Sequence, residues 1–222
     1  MYFQLQINPV SCGEFCGASS VQRTDYDVDN YRAISQLLVK NQPLTASSIE
    51  YIKQYFCIYC EPKCQSLPMA DYYELGTAKI VSEKLKGIFQ TAGVAGEYIP
   101  IKTLDEFHND SGGFYLAHFQ PIIDCFDYER SQFTWVERKA GKRPSKLKLL
   151  EINESVIADS LPLFRIKYFE NMVIVKDSLA EAINSSDIRG VLFLPLPVEE
   201  FDSSKLIHQL ELDCSKKENH RK

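Results

Sequence analysis

The sequence has no run of apolar residues near the roughly 18 that a membrane-spanning helix needs. No basic residue precedes its first apolar stretch, Met1-Tyr-Phe-Gln-Leu-Gln-Ile-Asn-Pro9, so a secretory signal is missing too. Both absences point to the cytoplasm. Glycine and proline, at 10 each in 222 residues, are too scarce for a low-complexity or collagenous chain. Neither phosphate-binding pattern, G-x-x-x-x-G-K-[ST] or G-x-G-x-x-G, occurs. Ser111-Gly-Gly113 is not the Gly-x-Ser-x-Gly elbow of hydrolases. The 4 histidines are scattered: His108 in a polar loop, His118 inside an apolar strand, His208 in a late amphipathic stretch and His220 at the tail. A histidine placed like His118 is ordinarily a hydrogen-bonded core residue. No catalytic constellation is assembled, and the chain is not expected to be an enzyme.

What is present is a folding composition, 45% hydrophobic and 12% aromatic, sufficient for one domain or two small ones. The 7 cysteines, an odd number, read as thiols rather than a disulfide framework. Cys57, Cys60 and Cys64 form C-x2-C-x3-C, and Cys12 and Cys16 form C-x3-C. Thiolates two residues apart chelate zinc where a tight turn aims both sulfurs inward. Here Ile58-Tyr59 and Glu61-Pro62-Lys63 fill the gaps without a glycine. Neither a metal nor another cofactor is expected. Cys125 reads as core and Cys214 as tail.

The net charge of −5 is unevenly distributed. Residues 137–148 hold six basic residues and one acid, and residues 213–222 hold four basic and two acidic. Removing both from 25 basic and 30 acidic residues leaves 15 against 27, a net of −12 on the other 200. An acidic body repels phosphate, so nucleic acid is an unlikely partner and a basic protein fits better.

Along the chain, Tyr2 to Ile7 alternates like a strand, a helix starts at Asp29 or Asn30 and stops before Pro43, and a second follows a Ser47/Glu50 capping box. Residues 57–75 read as irregular and mark the end of a 1–75 N-terminal α+β subdomain; 76–212 form the main domain and 213–222 a basic tail. Within the main domain the chain repeats. Residues 79–101 and 173–196 align without a gap at Ile80/Ile174, Val81/Val175, Leu85/Leu179 and Gly96/Gly190, and a one-residue slip brings Pro100 onto Pro195. Each copy reads as strand, helix, strand. The fold expected is mixed α+β, with a central sheet carrying both units and Ile80, Val81, Ile174, Val175, Val191 and Phe193 buried. Gly190 should need a positive φ or a close backbone approach. Between the copies, Phe114 to Ile123 reads as a buried strand. Gln132–Val136 and Lys146–Ile152 read as a hairpin with an exposed basic tip and Phe133 and Trp135 at its edge. A further hairpin turns at Phe169-Glu-Asn171.

Two acidic groups stand out. Asp25, Asp27 and Asp29 begin like a calcium loop, but Asn30 and Gln36 occupy the positions where such a loop needs Gly and Glu. Asp124, Asp127 and Glu129 follow the apolar run and could flank a glycosidic bond as an acid/base pair.

Several short segments carry a likeness beyond composition: Ile80-Val-Ser-Glu-Lys-Leu85, Gly96-Glu-Tyr-Ile-Pro100, Ile123-Asp-Cys-Phe-Asp-Tyr-Glu-Arg-Ser131, Pro162-Leu-Phe-Arg165, Ile174-Val-Lys-Asp-Ser-Leu179 and Arg189-Gly-Val-Leu-Phe193. In this order, over residues 76–197, they resemble a bacterial immunity-protein family found beside polymorphic, contact-delivered toxins. Arg189 departs from the small polar residue common there, and residues 1–75 fall outside the likeness. The resemblance implies a binding protein that blocks a cognate toxin inside the cell, with no catalytic residues to carry over. Combined with the acidic body, it gives a basic toxin domain as partner and Asp25, Asp27, Asp29, Asp124, Asp127 and Glu129 as candidate contacts. The rivals are a hydrolase using residues 124–129 and a cysteine-based zinc module.

Overall fold

A computed structural model of the chain describes residues 1–8, 21–23, 28–60, 69–104, 110, 112–138 and 141–199. The expectations for Cys12, Cys16, Cys64, Cys214, Asp25, Asp27, His108, His208, His220, Ser111 and the basic tail lie outside these residues.

The class is mixed α+β, as expected. In chain order the elements are β1 (Tyr2–Ile7), β2 (Val21–Arg23), α1 (Val28–Leu38), α2 (Ala46–Tyr55), β3 (Cys57–Cys60), β4 (Tyr72–Leu75), β5 (Ala78–Ser82) and α3 (Glu83–Thr91). There follow β6 (Gly96–Leu104), β7 (Phe114–Phe119), β8 (Ile122–Ile123), β9 (Gln132–Arg138), β10 (Gly141–Leu150), a 3-10 turn at Glu154–Val156, β11 (Leu163–Ile166), β12 (Phe169–Lys176), α4 (Asp177–Asn184), β13 (Val191–Pro195) and β14 (Val198–Glu199). They make three sheets, ordered β2-β3-β6-β7-β5-β4, β13-β1-β12-β11-β8 and β14-β10-β9.

Local chemistry corrects several boundaries. Thr45, not Ser47, caps α2, its hydroxyl accepting from the Ser48 amide at 3.2 Å. The 57–75 stretch is not wholly irregular, because β3 pairs with β6 and β4 with β5. The β11–β12 turn falls at Lys167-Tyr168, where Tyr168 takes φ 72, two residues before the expected place.

The internal repeat is structural. In the first copy the hairpin β4–β5 leads through α3 to β6; in the second, β11–β12 leads through α4 to β13. Each helix crossover leaves a gap one strand wide, filled antiparallel by β7 in the first copy and by β1 in the second. Val81 pairs with Tyr115, which pairs with Pro100. Val175 pairs with Phe3, which pairs with Pro195. The one-residue slip read from the sequence is therefore real. It falls before the glycines: Gly96 pairs with Phe119, and the equivalent position opposite Ile7 is Val191, one residue after Gly190.

The expectation that both units share one sheet is wrong. Residues 79–81 lie in the six-stranded sheet and 173–175 in the five-stranded one, because each copy recruits its own filler strand and so completes its own sheet. The copies meet instead through their helices. Val81, Leu85, Phe89, Val175, Leu179 and Ile183 belong to one buried cluster, with Ala117, Phe119, Leu5 and Val173 beneath them. Burying Leu85 or Phe89 contributes ~1.5–3 kcal/mol each. The opposite face of the first sheet packs Ile80, Ile99 and Leu116 under Ile34 and Leu38 of α1 and Ile52 of α2. That of the second packs Phe164, Ile166 and Ile174 against Phe126, Leu150 and Ile152. Ile80, Val81, Ile174 and Val175 are fully buried, whereas Val191 and Phe193 on the outer strand β13 are only half-buried, contrary to expectation. Gly190 has φ +78, and a Cβ built on it would stand 2.4 Å from the Ala70 Cβ. Tyr2–Ile7, assigned from sequence to the N-terminal part, is thus integral to the sheet of the second copy.

Candidate functional site

Two polar arrangements stand apart from ordinary packing. The first is buried where the copies adjoin. His118 on β7 is 1% exposed, and its Nδ1 lies 3.0 Å from Glu97 Oε2 on β6. Arg165 on β11, 4% exposed, brings Nη2 to 3.3 Å from His118 Nε2 and donates to the Lys40 carbonyl at 3.1 Å. Its Nη1 donates to the Leu38 carbonyl. Glu97 in turn accepts from the Leu44 amide at 2.9 and 3.0 Å. Burial, reinforced by the Arg165 charge and opposed by the Glu97 hydrogen bond, lowers the His118 pKa, and burial brings Arg165 down to about 10. A neutral imidazole donating from Nδ1 to Glu97 and accepting at Nε2 from Arg165 fits both side-chain partners; the Lys40 carbonyl, which also lies 3.1 Å from Nε2, then takes its hydrogen from Arg165 Nη2, and the Glu97 contact is a hydrogen bond rather than an ion pair. The cluster clamps the α1–α2 connection onto both sheets; Asn41 adds a bond from the Ile122 amide at 2.8 Å. This is the core histidine the sequence suggests, and it explains the Leu-Phe-Arg segment: Arg165 fastens a loop.

The second arrangement is on the surface and gathers three of the candidate acids. Asp124 accepts from Lys167 Nζ at 2.6 Å. Asp127 accepts from the Glu129 and Arg130 amides at 3.0 and 2.9 Å and from Arg130 Nε at 2.7 Å. These bonds, the Arg130 side chain first, hold its carboxyl below the usual range. Glu129 is exposed beside them. A general acid needs a raised pKa, and Asp127, with Arg130 against it, is in the opposite setting. Asp29 lies exposed in the first turn of α1, on another element. A basic partner reaching Asp124 or Asp127 would have to displace Lys167 or Arg130.

What the acid loop does present is aromatic. Tyr128 stacks on Trp135 of β9, rings 5.7 Å apart and 6° from parallel, and the two are 40% and 47% exposed. Beneath them, Phe126 meets Tyr128 edge-on at 4.9 Å and Phe133 meets Trp135 at 5.0 Å. The sequence reading places Trp135 at a hairpin edge but misses Tyr128, whose role depends on a contact between a loop and a strand. The only signal for it is its position two residues from Phe126 in an acidic turn.

No group of three or more His, Cys, Asp or Glu side chains able to hold a metal occurs among the described residues. Cys57 and Cys60 begin and end an extended strand, so the tight turn of a zinc knuckle is absent between them. Two surface grooves, about 430 Å³ between α1 and α2 and about 510 Å³ between α3 and α4, are lined without a carboxylate or imidazole.

Residues 1–197 match the model of an immunity protein family (Imm11). The match takes in the first 75 residues, which the motif resemblance leaves out, and with them β1, the filler strand of the second copy. No curated protein matches the chain.

Proposed function

Since the chain belongs to the Imm11 immunity protein family, we propose that it is a cytoplasmic immunity protein of a bacterial polymorphic toxin system. It binds a cognate toxin and blocks it without turnover. The family match over nearly the whole chain is the observation that carries this reading. Further support comes from the acid loop, where Asp124 and Asp127, two of the three carboxylates of the hydrolase reading, are engaged with Lys167 and Arg130. No helix among the described residues is long and apolar enough to cross a membrane.

A few free toxin molecules are enough to harm a cell, so the complex is nanomolar or tighter, about −12 kcal/mol or beyond. The test is co-expression with the product of the adjacent gene. Growth arrest by that product alone, rescue by this protein and co-purification of the two are expected. A toxin that stays lethal in the presence of this protein, with no complex in pull-down, excludes the immunity reading.

A further inference from the structure

We propose that the toxin docks on the free edge of β9 and the Tyr128–Trp135 stack, through a partner face that has an apolar centre and carboxylates around it. This rests on the immunity reading above and adds the surface and the partner's chemistry.

Three observations lead there. The chain has a single tryptophan, and instead of being buried it lies exposed on Tyr128. Two large rings held in one orientation by Phe126 and Phe133 are preorganised, so little side-chain entropy is lost when a partner covers them. Tryptophan and tyrosine are the residues that most often dominate binding energy at interface centres.

Next, β9 is the outer strand of its three-stranded sheet among the described residues. On that side β9 pairs with no other strand among the described residues, and an edge of this kind can take up a strand or loop from another protein. A partner lying along this edge meets Trp135 on one face of the ribbon and reaches the other face without crossing the sheet.

The third observation is charge. Lys142, Arg143, Lys146 and Lys148 on β10 are all exposed, and none takes part in an ion pair among the described residues. Lys142 lies 5.6 Å from the centre of the Trp135 ring, and Pro144, opposite Trp135 in the register, is buried. Among the acids near the stack, Asp124 is paired with Lys167 and Asp127 with Arg130, which leaves the exposed Glu129 and Glu137 against the four basic side chains. Glu137 stands opposite Lys142. Four basic side chains against these two acids leave the local field positive on an otherwise acidic molecule, and Lys142 lies well within a Debye length of the Trp135 ring. The complementary surface carries carboxylates around an apolar patch. This applies to the contact face, whatever the toxin's net charge.

The experiment uses the full chain and the toxin that the co-expression test identifies, produced as an inactive variant, with affinity and association rate measured at two salt concentrations. Trp135→Ala is expected to weaken binding about thirtyfold or more, the size of a hot-spot loss. Lys142→Glu with Arg143→Glu should slow association at least about tenfold at low salt, and the difference should shrink at high salt. Unchanged circular dichroism and thermal midpoint in the charge-reversed variant separate a docking effect from misfolding. If the wild type binds and protects while both variants do so equally well, the docking surface is wrong and the immunity reading stands. If the wild type neither binds nor protects, both fall together. A dimer of this chain abolished by Trp135→Ala, with toxin affinity intact, would assign the face to a second copy. Binding of RNA lost in the charge-reversed variant, again with toxin affinity intact, would assign it to nucleic acid. Either result overturns the proposal.

Discussion

The Arg165 guanidinium points at the His118 imidazole across 3.3 Å, both side chains buried, so this histidine is held neutral. Its pKa is lowered mainly by burial, then by Arg165, against the opposing Glu97 hydrogen bond. The unfolded chain therefore binds a proton at His118, near pH 6.5, that the folded chain refuses. The contribution of this site is complete above pH 6.5 and is lost as pH falls below it, down to the folded pKa, at up to ~1.4 kcal/mol per pH unit. Urea unfolding at pH 7.5, 6.5 and 5.5 should show this decline, and His118→Gln should flatten it. A slope unchanged by the substitution would show that the clamp does not exclude the proton.

Gly190→Ala is expected to destabilise by ~2 kcal/mol or more. Two effects combine: φ +78, which strains an L-residue, and the 2.4 Å approach to the Ala70 Cβ. Adding Ala70→Gly should restore the contact part and leave the strain. Chemical denaturation of both single variants and the double gives the coupling. Simple additivity would mean that the two residues do not meet.

Much of this was legible in the sequence, and what was missed shares one physical cause. The period of Leu85 and Phe89, and of Leu179 and Ile183, gives α3 and α4 directly, and the match of Pro100 to Pro195 gives the equivalent registers of β6 and β13. What strand patterns do not encode is which strand fills a gap. Nothing local in Tyr2–Ile7 says that it pairs with residues 173–176 and 191–195, so the sequence pattern joins in one sheet two units that the structure keeps in separate sheets. At the surface, the acids were legible as charge but not as partners already bound to Lys167 and Arg130. Tyr128 gained its meaning only when the turn carried it onto Trp135.

The repeat gives a paired prediction. Ile80 and Ile174 are register equivalents, each fully buried, but in different clusters. Ile80→Ala and Ile174→Ala should each cost ~2–5 kcal/mol, as removal of buried methyl groups does. Because they share no partners, the losses should add to within ~0.5 kcal/mol. Marked non-additivity in denaturant unfolding would mean that the two outer cores are coupled through the sheets. Val191→Ala, at a half-buried site, should cost less than either.

The cysteines should hold no stoichiometric metal. Cys57 and Cys60 bracket an extended strand, and the burial of Cys125 pushes its thiol up to about 12, so that thiolate is not available near neutral pH. Elemental analysis of protein from zinc-supplemented culture should give far less than one zinc per chain. One equivalent, lost in Cys57→Ser or Cys60→Ser, would make the metal part of folding and bring the zinc module forward.

Trp135 provides a local reporter, because the chain has no other tryptophan. At 47% exposure its indole should emit at the long wavelengths of a hydrated ring and be open to ionic quenchers. Lys142, 5.6 Å from the ring centre, should concentrate anions there, so iodide should quench more strongly than caesium at equal concentration. Lys142→Glu should narrow or invert that order, and high salt should weaken it by screening. Tyr128→Ala, which uncovers one face of the indole, should raise quenching by neutral acrylamide. A short-wavelength emission indifferent to both ions would mean that Trp135 is covered in solution, and a covered Trp135 cannot be the centre of a docking face.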